Sequence, residues 1–199
     1  MPDSPLALLR NALVTKKTGD SVAIISSASA METASIVLKL LVEERHMAGI
    51  VVCIDRSPLV YQKLMQENGI SSKDIFFLDV TGSGEKMPAI CKSESISDLT
   101  TLSIDLFKLV NAVNVAVPGQ RVFVYMDSAT SLQWYSGQET VGRFLHATNL
   151  RLRAAKAYQV YVIDPGSAIG PEIRKFCDNI VEIKSTAHDE FAAALGADT

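Results

Sequence analysis

The chain has 199 residues, of which 48% are apolar, 21% charged and 7% aromatic, with a formal net charge of −3. That length suits one domain able to bury its own core, and the apolar share with balanced charge excludes a disordered chain. Slight acidity weighs against a dedicated nucleic-acid binder, which carries a basic field.

From the N-terminus, residues 4–14 read as a short amphipathic helix, with Ser4 as N-cap and Leu6, Leu9 and Leu13 on one face. Six apolar runs then recur: Val22–Ser26, Gly49–Asp55, Ile75–Asp79, Arg121–Asp127, Gln159–Asp164 and Asn179–Lys184. They are rich in Val, Ile, Phe and Tyr without regular alternation, as strands buried on both faces of a parallel sheet are. Helical stripes lie between them. Ile36, Val37, Leu40 and Leu41 form the first. Leu59, Leu64 and Met65 form a second that closes near Gly69. Leu99, Leu102, Leu106, Leu109 and Val113 form a third, with Ser97 or Asp98 to cap it. Val141, Phe144, Leu145, Thr148 and Leu152 form a fourth. The alternation predicts an α/β fold: a mainly parallel central sheet between two layers of helices. Residues 1–199 read as one domain, with an N-terminal helical segment (1–19), a core (20–184) and a tail (185–199). Residues 81–96 read as the least regular connection.

Cys53, Cys91 and Cys177 share no close spacing, so no C-x-x-C metal or redox site is present. An odd count with no basic leader predicts reduced thiols and a cytoplasmic protein. No stretch approaches 18 uncharged apolar residues, so no membrane span is expected.

Open α/β sheets gather ligands at the carboxyl ends of their strands. Those positions are Ser26, Asp55, Asp79, Asp127 and Asp164. Four aspartates would suit a metal–phosphate site, although aspartate also ends strands simply as a turn former. The loop after the first strand carries more information. A phosphate loop needs G-x-x-x-x-G-K-[ST], in which glycines let backbone amides close on the phosphates and lysine neutralises them. Here the eight residues are Ser26, Ser27, Ala28, Ser29, Ala30, Met31, Glu32 and Thr33. The loop length, the closing threonine and the following helix are in place. Both glycines are replaced, by Ser26 and Met31, and the lysine by Glu32. Against a triphosphate that charge reversal costs on the order of several kcal/mol at an effective dielectric near 20. The run Gly82-Ser83-Gly84-Glu85-Lys86 has the wrong spacing for a phosphate loop and reads as a turn.

With these residues in view, the sequence resembles the RecA/KaiC-like ATPase superfamily, the short archaeal KaiC-like proteins in particular, over residues 20–184. Arg121-Val-Phe-Val-Tyr-Met-Asp127-Ser128 is similar to a Walker B strand. The segment Ile50–Pro58 is similar to the second-strand segment that carries the catalytic glutamate, with Asp55 and Arg56 in its place. Thr140, Val141, Arg143 and Phe144 also follow the family pattern. The resemblance implies a RecA-like three-layer α/β/α core whose working members bind ATP and Mg²⁺ between subunits. By position, Thr33 and Asp127 would hold Mg²⁺ and Asp55 would polarise water. Arg56, next to Asp55, is expected to pair with it.

His46, His146 and His188 stand apart from one another and read as solvated or packing residues. Ser128 and Ser131 lack a nucleophile-elbow context. Arg151, Arg153 and Lys156 suit a helix C-terminus better than a nucleic-acid patch. Trp134 and Tyr135 would serve as an interface anchor if exposed, or as a cover for the sheet edge if not. The sequence therefore predicts a non-catalytic RecA/KaiC-like domain, a pseudo-ATPase acting through a protein partner or self-association, without cofactor, membrane or nucleic acid. Its rivals are an ATPase with a non-standard phosphate loop, using ATP and Mg²⁺, and a small-ligand sensor.

Overall fold

The computed structural model describes residues 4–14, 17–83, 90–92, 98–184 and 195. Helix α1 (Pro5–Val14) is followed by β1 (Ser21–Ser26), α2 (Ala30–Lys39), β2 (Ala48–Cys53), α3 (Pro58–Glu67), β3 (Ile75–Asp79) and β4 (Ile90–Lys92). Then come α4 (Leu99–Ala116), β5 (Val122–Asp127), α5 (Leu132–Ser136), α6 (Gln138–Ala154), β6 (Tyr158–Ile163), α7 (Gly170–Arg174) and β7 (Asn179–Ile183). The strands form one sheet in the order β4-β3-β2-β5-β6-β1-β7, and each pairing is parallel.

The order explains the layers. From β1 to β4 the chain moves in one direction across the sheet, and from β4 to β7 it moves back. Parallel crossovers are right-handed, so reversing direction moves the connecting helices to the opposite face. Leu9 and Leu13 of α1, Ile36 and Val37 of α2, and Tyr61 and Met65 of α3 accordingly share one core with Val22, Val51, Phe123 and Tyr125. Leu102 and Leu106 of α4, Val141 and Leu145 of α6 and Ile173 of α7 share the other with Ala23, Ile50, Val124 and Met126. Strand residues alternate between the two cores, as the pleat requires. At Gly49, paired with Phe123 in the sheet, an added Cβ would lie 2.0 Å from the Phe123 ring, so that ring occupies the space a side chain would need.

The predicted caps form. Ser4 Oγ accepts from the Ala7 amide at 3.2 Å, and Asp98 accepts from the amides of Thr100 and Thr101; Ser97 lies outside the described residues. By length and composition α4 could cross a membrane, but its Leu99, Leu102, Leu106, Val110 and Val113 stripe is buried against the sheet.

Four details depart from the sequence reading. Residues 90–92, read as part of an irregular connection, pair with β3 as an edge strand. β2 stops at Cys53, so Asp55 lies beyond the strand rather than at its end. α2 continues into a π-helical turn, Leu40–Glu44, which leads to Arg45. Arg45 is 5% exposed; it donates to the Leu13 carbonyl and lies 4.7 Å from the Tyr158 ring centre, while Tyr158 Oη donates to the Ala12 carbonyl. Those contacts fasten α1 to the sheet. Finally, α5 and α7 are five-residue helices, too short to leave a period in the sequence.

Candidate functional site at the strand ends

Register brings the candidate residues to one edge. Cys53 of β2 is opposite both Asp79 and Asp127, and Ile25 of β1 is opposite Ile163, one residue before Asp164. The carboxyl ends therefore share one edge, but they do not form one cluster.

Asp79 caps its own turn: it accepts from the Thr81 amide and hydroxyl and from Ser83 Oγ. The turn-former reading holds for this residue. Gly82 adopts φ 70°, as a turn glycine does, while Gly84, Glu85 and Lys86 lie outside the described residues.

Asp127 is the centre of the second group. It is fully buried, and its Oδ2 accepts from Tyr61 Oη at 2.6 Å. The Arg56 guanidinium lies 3.6 Å from the same oxygen. Its Oδ1 is buried with no hydrogen-bond partner among the described residues. Burial above all, helped by the charges of Asp55 and Asp164, pushes the carboxyl up to about 6 against the opposing pull of the Tyr61 hydrogen bond and Arg56. Burial and the Asp127 charge together hold the Tyr61 phenol well above its usual range. Tyr61 also meets Tyr125 edge to face, with ring centres 6.4 Å apart.

The expected pair of Arg56 with Asp55 is not what forms. Asp55 instead accepts from Ser131 Oγ at 2.6 Å, and Arg56 turns to Asp127. The buried carboxylate has lost its water and gains more from a cation than the exposed Asp55 does. Sequence reasoning missed Tyr61. Its spacing to Leu64 and Met65 places it on the buried face of α3, but nothing local points its hydroxyl at a strand 66 positions away.

The first-strand loop is a third group. Ser26 Oγ and Thr33 Oγ1 are 3.0 Å apart, and both residues are buried. The Ala28 amide donates to Ser26 Oγ, and the Ser27 amide to the Ile183 carbonyl of β7. Two loop amides thus bond inside the protein. α2 begins at Ala30, so Met31 and Glu32 lie in its first turn, and Ser29 precedes the helix without a side-chain cap bond. An acid in that turn complements the helix dipole, which gives Glu32 a structural role. β6 lies between β1 and β5, separating the Ser26–Thr33 pair from Asp127. Among the described residues no group of three or more acidic, His or Cys side chains is placed to hold a metal ion.

Trp134 and Tyr135 do not cover the sheet edge: they are 86% and 53% exposed, on α5. Two of the three residues of the basic stripe have partners within the fold. Arg153 pairs with Asp178 at 2.7 Å, and Arg151 lies over Phe107. His146 is an exposed residue packed against Phe176, with ring centres 5.5 Å apart. His188 lies outside the described residues.

A model of a family of unknown function (DUF7504) matches residues 19–183. No curated protein matches the sequence significantly. Among solved structures, the chain is similar to the KaiC-like protein PH0186 from the hyperthermophilic archaeon Pyrococcus horikoshii OT3. That likeness has a TM-score of 0.63 and 14% identity, over 84% of this chain and 73% of the other. It is also similar to the uncharacterized protein PH0321 from Pyrococcus horikoshii, solved in complex with an unknown peptide. Here the TM-score is 0.69 and the identity 13%, over 86% of this chain and 80% of the other. At such identities the likeness shows the fold, which is KaiC/RecA-like.

Proposed function

This chain belongs to the DUF7504 family, whose function is unknown, and from its own side chains we propose a non-catalytic RecA/KaiC-like domain acting in protein–protein interaction or regulation. The carrying observation is that both prospective metal ligands are already engaged by protein side chains. Thr33 Oγ1 bonds to Ser26, and Asp127 Oδ2 is held by Tyr61 and Arg56. Arg56 supplies internally the positive charge that Mg²⁺ would bring.

These residues do not fit a magnesium–nucleotide. Glu32 stands where a phosphate-binding lysine would be, and placing a triphosphate beside it costs on the order of several kcal/mol. Ser27 and Ala28 spend their amides inside the protein. Asp55, in the position of the water-polarising acid, accepts from Ser131. An exposed Trp134–Tyr135 pair supports an interaction role, and one neighbour of this fold was solved with a peptide. None of Cys53, Cys91 and Cys177 is in a disulfide, which is in keeping with the reducing, cytoplasmic setting proposed here.

One observation favours the rival, a nucleotide-binding or ligand-sensing domain: the buried Asp127 Oδ1 has no hydrogen-bond partner among the described residues. Titration with fluorescent ATP and ADP, with and without Mg²⁺, separates the readings. The proposal expects no saturable binding below millimolar concentrations. Tighter binding that Asp127→Ala abolishes would overturn it.

A further inference from the structure

Asp127 Oδ1 is not the only orphaned atom in its neighbourhood. Among the described residues, Tyr125 Oη is also buried without a hydrogen-bond partner. Both residues are fully buried. They stand two apart on β5, so their side chains leave the same face of the sheet, with Cα atoms about 6.6 Å apart. Tyr61 of α3 touches both. Its hydroxyl donates to Asp127 Oδ2 at 2.6 Å, and its ring meets the Tyr125 ring edge to face with centres 6.4 Å apart. Burial and the Asp127 charge hold the Tyr125 phenol well above its usual range, so the phenol keeps its proton. An orphaned donor and an orphaned acceptor therefore lie against the same tyrosine.

Buried polar atoms in folded proteins almost always find a protein partner or an ordered water. Ser35 and Thr148 also lack partners among the described residues, but both lie in helices, where a hydroxyl can turn to a carbonyl of the preceding turn. A strand offers no such carbonyl, because those of β5 face β2 and β6 in the plane of the sheet. The chemistry of the pair selects what joins it. A cation would leave the phenol proton without an acceptor, and Arg56 already lies 3.6 Å from the carboxylate. An anion would be repelled by Asp127. A neutral group that accepts on one side and donates on the other satisfies both atoms, and water is the smallest such group. At ordinary O–H···O lengths, one water joins oxygens up to about 5.5 Å apart.

We propose that Tyr125 and Asp127 form a buried binding site for one water molecule, which accepts from Tyr125 Oη and donates to Asp127 Oδ1. Its second proton can go to Tyr61 Oη, which keeps a lone pair while donating to Asp127, so the water has the usual complement of partners for a buried one. Asp127 is then enclosed on both oxygens, by Tyr61 and Arg56 on Oδ2 and by the water on Oδ1. The oxygen that would otherwise invite a cation is taken by a neutral ligand. The inference goes beyond the functional reading, which engages only Oδ2 of this carboxylate, and stands without it.

A high-resolution crystal structure of the full chain tests this directly. A water is expected within hydrogen-bond distance of Tyr125 Oη and Asp127 Oδ1 at once. A direct bond between those two atoms, a dry contact, or a metal ion at Oδ1 overturns the proposal. In solution, Tyr125→Phe removes a single oxygen and keeps the ring. It should raise the unfolding constant about 5–10-fold in urea at pH 8, the effect of losing one hydrogen bond. The number of long-lived internal waters, read by water-oxygen relaxation dispersion, should fall by one. A hydroxyl with no partner behaves in the opposite way, because removing it costs nothing or stabilises the fold. An unfolding constant that is unchanged or lower, or an unchanged count of internal waters, therefore overturns the proposal. The two readings fail separately: the nucleotide titration decides the functional one, and neither the water count nor Tyr125→Phe enters it.

Discussion

Arg56 Nη1 lies 3.6 Å from Asp127 Oδ2, joining the loop after β2 to the last residue of β5 across two neighbouring strands. The contact decides the character of the strand-end edge. A buried carboxylate on this scaffold is met by a cation from the chain itself, and Tyr61 completes the enclosure with a 2.6 Å hydrogen bond.

Asp127 should make stability fall as pH rises. Its carboxyl titrates near 6 in the folded protein, against an ordinary value of 3.8. Between those values the native state holds the proton more firmly than the unfolded chain, so unfolding releases protons and stability drops with increasing pH. The contribution is fully present below pH 4 and lost as pH passes through 6. Asp127→Asn, which keeps an acceptor for Tyr61 without the charge, should therefore stabilise the protein at pH 8 by on the order of 1–3 kcal/mol. Urea unfolding at pH 8 and pH 4 checks this: the gain should shrink towards zero at the lower pH.

Removing the partners should act in the opposite direction. Tyr61→Phe deletes a hydrogen bond to a charged acceptor and should cost about 1.5–3 kcal/mol at pH 8. Arg56 is about a third exposed, so Arg56→Ala should cost less than the breaking of a fully buried pair, about 1–2 kcal/mol. Both costs should decline below pH 6, where the carboxyl is neutral. A chemical-denaturation series in each variant reads the pH dependence directly.

Restoring the phosphate loop tests how far the site has departed from nucleotide binding. Ser26→Gly, Met31→Gly and Glu32→Lys together remove the acid and release the Thr33 hydroxyl from Ser26. Some affinity for fluorescent ATP is expected to appear in this triple variant, with little dependence on Mg²⁺. Adding Arg56→Ala should introduce the Mg²⁺ dependence, because the Asp127 carboxylate then lacks its internal cation. No gain in a folded variant would mean that the edge has diverged beyond these residues.

Gly49→Ala should be among the most damaging single changes in the core. The new Cβ would fall 2.0 Å from the Phe123 ring, and both residues sit in paired central strands that leave little room to shift. Overpacking of this kind costs about 3 kcal/mol. Gly49→Ala combined with Phe123→Leu should recover part of the loss, measured by thermal unfolding.

The sequence by itself determined the order of elements and the α/β class, because apolar runs and helical stripes are local patterns. It also located Glu32 and the strand-end edge, since parallel strands all finish on the same side. It did not disclose the edge strand β4, the short helices α5 and α7, or the π-helical turn after α2, segments too short or irregular to leave a period. Nor did it reveal which partner each polar side chain takes. Arg56 stands beside Asp55 in the chain, yet it turns to Asp127, and Asp55 accepts from Ser131. That choice depends on the pairing of β2 with β5 and on the burial of Asp127, which strips its water and makes it the more demanding carboxylate. Local sequence fixes which face a residue occupies; only the packed sheet sets which charges face each other without water between them.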